Sequence, residues 1–212
     1  MTLVKICGIT NLEDALASIE AGADALGFNF YPRSPRYIAP QTARAIVEQL
    51  PSSVFNVGVF VNEKIPDDVA RIADEAMLDG VQLHGEESPE YCHALHERNV
   101  IKVLRVGSGF KPEDVLKFET DAILLDAYSR DSRGGTGKVF DWSLAAEVQK
   151  LKSKLFLAGG LTPDNVAEAI LQVGPFAVDA CSSLERSPGK KDFSRVSAFI
   201  KAAREAYNKS NN

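Results

Sequence analysis

Two residues able to move protons stand directly after short apolar runs: Cys7 after Val4-Lys5-Ile6, and Asp126 after Ala122-Ile123-Leu124-Leu125. A thiol becomes a base or a nucleophile once its pKa is brought down from about 8.5; Cys7 reads equally as a small residue packing the top of a core. A carboxyl that follows an apolar run must be paired or do chemistry. The other readings of Asp126 are a helix cap and an ion pair with an arginine. Together the two form a candidate base and acid for two different atoms of one substrate.

Other chemistry-bearing residues cluster in loops. Gly159-Gly160-Leu161-Thr162-Pro163 follows an apolar run and leads into a helical pattern, and Ser182-Ser183 follows Cys181. Glycines let a backbone approach a ligand closely, and N–H groups in such loops hold phosphate; tight capped turns are the plainer reading. Arg33 and Arg36 share the segment Tyr31–Tyr37. A guanidinium grips a carboxylate with two parallel bonds, and one of the two arginines is expected to be only a solvated loop charge. His84 ends the run Gln82-Leu83 and reads either as a ligand contact or as a structural hydrogen-bonding group. The glycine-rich stretch 131–138 could wrap a substrate as a lid or be an ordinary surface loop. It lacks the spacing of a phosphate-binding P-loop. His93 and His96 read as surface residues, Cys92 as the apolar face of a helix, and Lys190-Lys191 as a solvated turn.

These residues need elements to hold them. Short β-branched runs at 3–6, 25–29, 54–60, 80–83, 100–104, 122–125, 155–157 and 177–179 predict eight strands. A segment of helical period follows each. Leu12, Ala15, Leu16 and Ile19 repeat behind a Thr10-x-x-Glu13 capping box. Pro40 opens the second helix, Ser88-Pro89 the fourth, Pro112 the fifth, Asp141 the sixth and Thr162-Pro163 the seventh. Eight βα units of about 25 residues predict an α/β, single-domain (βα)8 TIM barrel, whose catalytic groups lie at strand C-termini. A doubly wound sheet is the rival, but no GxGxxG follows the first strand. Residues 1–207 form the catalytic domain, and 208–212 read as a polar, frayed tail.

Composition narrows the classes. The 212 residues carry 24 Lys and Arg against 29 Asp and Glu, a net charge of −5. That balance argues against a nucleic-acid partner. No apolar run approaches a spanning length, no signal-peptide layout opens the chain, and a cytoplasmic location is expected, with no membrane partner. Three scattered cysteines suggest a reducing compartment without a disulfide framework, and no spacing of His and Cys proposes a metal site.

Read as a set, Lys5-Ile-Cys7-Gly-Ile-Thr10, Ser34-Pro-Arg36-Tyr37, Gln82-Leu-His-Gly85, Leu125-Asp-Ala127, Gly134-Gly-Thr-Gly-Lys-Val-Phe-Asp-Trp142, Ala158-Gly-Gly-Leu161 and Pro188-Gly-Lys-Lys-Asp192 resemble the phosphoribosylanthranilate isomerase family. The resemblance covers the whole chain. It implies an isomerase of tryptophan biosynthesis that carries out an Amadori rearrangement of a phosphorylated small molecule, without metal or cofactor. It also implies Cys7 as general base, Asp126 as general acid, Arg36 on the anthranilate carboxylate and Gly159, Gly160, Ser182 and Ser183 on the phosphate. His84 and Asp179 complete the implied substrate contacts, and other tryptophan-pathway enzymes are the macromolecular partners it suggests. One stretch departs from the family's usual Asp-Val-Ser-Ser-Gly-Val-Glu: here Asp179-Ala-Cys-Ser-Ser-Leu-Glu185 puts Cys181 at a Ser position and Ser183 at a Gly. If that Gly takes positive φ, Ser183 carries strain. Two rivals are an isomerase of the histidine-pathway aminoimidazole intermediate, expected to pair two aspartates, and an idle barrel that senses a phosphorylated ligand.

Overall fold

A computed structural model describes residues 1–107, 109–126 and 141–210. Eight strands close into a barrel in chain order: β1 Leu3–Cys7, β2 Ala25–Asn29, β3 Phe55–Phe60, β4 Gly80–Leu83, β5 Asn99–Arg105, β6 Ala122–Asp126, β7 Leu155–Ala158 and β8 Ala177–Ala180. Every neighbouring pair around the barrel is parallel, including β1 with β8. The helices are α1 Leu12–Glu20, α2 Pro40–Val47, α3 Pro66–Glu75, α4 Pro89–His93, α5 Trp142–Leu151, α6 Val166–Val173 and α7 Phe193–Ser210. A small hairpin, β9 Glu185–Ser187 with β10 Lys190–Lys191, follows the eighth strand.

Side chains alternate across each strand. One set, including Ile6, Leu26, Leu83, Leu125, Leu157 and Val178, is fully buried against helix residues such as Ala15, Val69, Val148 and Phe199. Burying each large aliphatic side chain contributes about 1.5–3 kcal/mol. The opposite set, Val57, Ile101, Val103, Ala122, Leu124, Phe156, Ala158 and Ala177, fills the barrel interior. Lys5 and Asp179 belong to this inward set: they are register partners on β1 and β8 and pair at 2.8 Å. Continuing the same parity two residues further along each strand puts Cys7, His84, Asp126 and Cys181 inward at the C-terminal rim. The fold therefore assembles the mouth from residues scattered along the chain.

Four local readings are corrected. The fifth connection is a 3₁₀ turn over Pro112–Lys117, too short to continue as an α-helix before β6 begins at Ala122. Asn11, not Thr10, caps α1 by accepting from the Asp14 amide, while the Thr10 hydroxyl is spent on the Gly189 carbonyl. The helix expected from Thr162-Pro163 starts at Val166; the Asn165 side chain accepts from the Thr162 amide and shapes the turn before it. Helix α7 runs on to Ser210, with no Gly or Pro to stop its hydrogen-bond ladder, so 208–210 extend the helix. No helix among the described residues is long and apolar enough to cross a membrane.

Candidate active site

A cavity of about 290 Å³ opens at the C-terminal rim, and all nine residues expected at a site line it: Cys7, Arg36, His84, Asp126, Gly159, Gly160, Asp179, Ser182 and Ser183. The glycine-rich stretch 131–138 lies outside the described residues.

Cys7 is almost buried and sits above an inward stack of charge. The Cys181 thiol, donating to Cys7, lowers the Cys7 pKa well below the ordinary thiol value; burial opposes this, and Lys5, Lys191 and His84 reinforce it. Cys181 is correspondingly driven well above the thiol range, because it keeps its proton next to a thiolate. Asp179 is pushed up to about 7, chiefly by burial, with Lys5 opposing and the Cys7 thiolate assisting. Burial likewise disfavours the Lys5 ammonium, but Asp179 and Cys7 outweigh it and hold its pKa above the lysine range. One ammonium thus serves two anions, which is why it gains while the carboxylate between burial and thiolate loses. Among the described residues, Oδ1 of Asp179 is buried without a hydrogen-bond partner.

On the opposite arc, Asp126 Oδ2 lies 3.1 Å from His84 Nε2. Gln82 Nε2 lies 3.2 Å from His84 Nδ1. With the amide donating, Nδ1 accepts and Nε2–H donates to the carboxylate, which fixes the imidazole tautomer. The loop bearing His84 is anchored from below by a buried pair, Lys102 with Glu87 at 2.6 Å. Glu87 also accepts from the Gly85 and Asn62 amides. Gln82 was missed as a site residue; the signal available was a polar side chain of inward parity in an apolar run.

Arg36 is not a free clamp. Its Nε and Nη2 donate to the two oxygens of Glu185 at 2.8 and 2.7 Å, and this pair raises the arginine pKa. A guanidinium has five N–H donors, so three remain beyond this pair, on a residue that lines the cavity. Lys191 overturns the expected solvated turn: it is 1 % exposed. Its ammonium donates to the Cys7 carbonyl at 2.6 Å and the Cys181 carbonyl at 3.3 Å, and lies 3.4 Å from Glu185. Burial is tolerable because every donor finds an acceptor and an anion stands alongside. Lys190 stays exposed, as do His93 and His96, and Cys92 is buried on α4.

Gly159 and Gly160 take φ of 83° and 72° in succession, a left-handed path that side chains disfavour. A Cβ on Gly160 would meet nothing within 4 Å among the described residues, leaving open space beside that backbone. Ser183 does not carry the strain considered for it, since among the described residues the non-glycine positions at positive φ are Asn62 and Met77. Its hydroxyl instead donates to the Leu161 carbonyl and ties the two glycine- and serine-bearing loops together.

The family model described as N-(5'phosphoribosyl)anthranilate (PRA) isomerase matches residues 4–202. The chain belongs to the phosphoribosylanthranilate isomerase family. Relatives bearing that family name include one from Trichlorobacter lovleyi, 50% identical over 206 residues, 97% of this chain and 100% of the relative. Another, from Thermotoga maritima, is 51% identical over 205 residues, 96% of this chain and 99% of the relative. The crystal structure of phosphoribosyl anthranilate isomerase from Thermotoga maritima superposes with a TM-score of 0.87 at 49% identity, covering 97% of this chain and 100% of that one. A phosphoribosylanthranilate isomerase crystallised with reduced 1-(o-carboxyphenylamino)-1-deoxyribulose 5-phosphate gives a TM-score of 0.84 at 46% identity, over 97% and 100% of the two chains. The present chain is an isomerase with the family's (βα)8 barrel.

Proposed function

We propose that the mouth converts N-(5-phosphoribosyl)anthranilate to 1-(2-carboxyphenylamino)-1-deoxyribulose 5-phosphate in tryptophan biosynthesis, with Asp126 as general acid and Cys7 as general base. The supporting observation is that β1 and β6 present a thiolate and a carboxyl to one cavity from opposite arcs. The reaction needs that separation. Protonating the furanose oxygen at Asp126 opens the ring to an imine; removing the C2′ proton at Cys7 gives an enolamine, which tautomerises to the ketone. Each transfer contributes about 10²–10⁴-fold. His84 donates from Nε2 to Asp126 across their 3.1 Å contact and holds the carboxyl oriented.

Binding follows from the same geometry. The remaining donors of Arg36 suit the anthranilate carboxylate, and Glu185 fixes the plane in which they point. Asp179, which lines the cavity, suits a ribose hydroxyl. The phosphate fits the open space beside Gly160, between its loop and Ser182-Ser183.

The test is the loss of anthranilate fluorescence on substrate generated in place, for the wild type, Cys7→Ser and Asp126→Asn. Turnover that collapses in both folded variants supports the pair; turnover unaffected by Cys7→Ser removes the base assignment.

A further inference from the structure

The cysteine that departs from the family's usual serine stands beside the proposed base. Lys5 and Asp179 face each other on β1 and β8 and both point into the barrel. Cys7 and Cys181 lie two residues beyond each, so they share that inward parity one layer higher, on neighbouring strand ends. Both line the rim cavity, and both are free thiols. The Lys191 ammonium bonds both of their carbonyls and clamps the two backbones together. Neighbouring strands lie about 4.8 Å apart, inside the window of about 4.4–6.8 Å between Cα atoms that a disulfide spans.

We propose that Cys7 and Cys181 form a redox-active dithiol, a modification site that hydrogen peroxide closes reversibly into a disulfide. That closure also silences the enzyme rests on the reading of Cys7 as general base. In the first step the Cys7 thiolate attacks one peroxide oxygen. The O–O bond breaks, hydroxide leaves and takes up the proton that Cys7 released, and Cys7 becomes a sulfenic acid. In the second, the Cys181 sulfur attacks the Cys7 sulfur; the S–O bond breaks and the departing hydroxide leaves as water with the Cys181 proton. Two thiols give up two electrons and two protons, and one peroxide becomes two waters.

The surroundings suit both steps. Lys5 on β1, Lys191 on the hairpin and His84 at the end of β4 favour the attacking thiolate, while Asp179 on β8 opposes it. Arg36 and Glu185 flank Cys181, whose sulfur lies 3.9 Å from Glu185 Oε1. A sulfenic acid with a neighbouring thiol resolves to a disulfide before further oxidation to the irreversible sulfinic acid. The third thiol, Cys92, is buried on α4 and pushed up to about 11, mainly by burial, so it takes no part.

The experiment treats the purified enzyme with hydrogen peroxide. It then counts free thiols, maps peptides without reduction, and assays activity before and after dithiothreitol. The expected result is a fall from three free thiols to one, a mass loss of about 2 Da for two hydrogens, and a peptide linking Cys7 to Cys181. Activity falls in proportion to the linked fraction and returns with dithiothreitol. Cys181→Ser, with Cys181→Ala as a second folded variant, gives no link, and its loss relative to its own starting rate is not reversed. Sulfinic acid at Cys7 without any link in the wild type overturns the dithiol. A link formed with full activity keeps the dithiol and overturns the base reading instead.

Discussion

Replacing Lys191 by Met keeps most of the side chain's volume and removes its charge and donors. In the native protein that ammonium is fully enclosed, bonded to the Cys7 and Cys181 carbonyls and adjacent to Glu185. Removing one partner of a buried ion pair costs about 3–5 kcal/mol. Here Glu185 keeps its two bonds from Arg36 and one from the Gly189 amide, so the lower end applies, about 3 kcal/mol. For a chain of this length that lowers Tm by about 6–12 °C. Neutralising the stranded carboxylate with Glu185→Gln in the same chain should recover part of the loss, making the pair of changes less than additive. Chemical denaturation of the four proteins measures the coupling. A loss under about 1 kcal/mol, or strict additivity, would refute the reasoning that Lys191 is the buried counter-ion beneath the rim.

Three further outcomes follow from the same contacts. Arg36→Lys gives up the planar fork toward both Glu185 and substrate; a charged hydrogen bond contributes about 1.5–3 kcal/mol, so KM should rise about 10–100-fold with a smaller change in kcat, read by steady-state kinetics. Gly27→Ala would place a Cβ 2.7 Å from the Cys7 sulfur, so kcat should fall as the thiol is displaced, with a stability cost of about 1–3 kcal/mol from overpacking; unchanged kcat would contradict the position given to the base. Gly160→Ala forces a side chain into φ of 72°, at about 1–2 kcal/mol, and fills space assigned to phosphate. Its KM should rise while kcat holds, and inorganic phosphate should inhibit it less than the wild type.

The strand count and the barrel were legible because a fully parallel closed sheet writes each strand as a short apolar run, and Cys7, Asp126 and His84 could be picked out because each ends one. The caps of α4 and α5 were equally plain, since Ser88 and Asp141 act on amides two or three residues away. What failed was long-range. Nothing local distinguishes Lys191 from Lys190; its burial depends on a carbonyl 184 residues away in sequence. Arg36 looks like a free ligand clamp until Glu185, 149 residues distant, is brought against it. Thr10 lost its capping role to Asn11 because its hydroxyl was claimed by Gly189 on the returning hairpin. Ser183 needed the backbone itself: only the dihedrals show that its loop avoids positive φ.

The central claim, that Cys7 works as a thiolate base, is tested most directly by comparing two pH profiles. One is the ascending limb of kcat/KM; the other is the rate of iodoacetamide alkylation at Cys7, resolved from Cys181 and Cys92 by peptide mass. A depressed pKa leaves the base in place above that pKa and removes it as pH falls through it. Both limbs should coincide, well below the ordinary thiol range, and Cys181→Ala, which removes the largest stabilising contact, should move both upward together. An alkylation limb at the ordinary thiol value, or a kcat/KM limb that ignores Cys181→Ala while alkylation shifts, would contradict the claim.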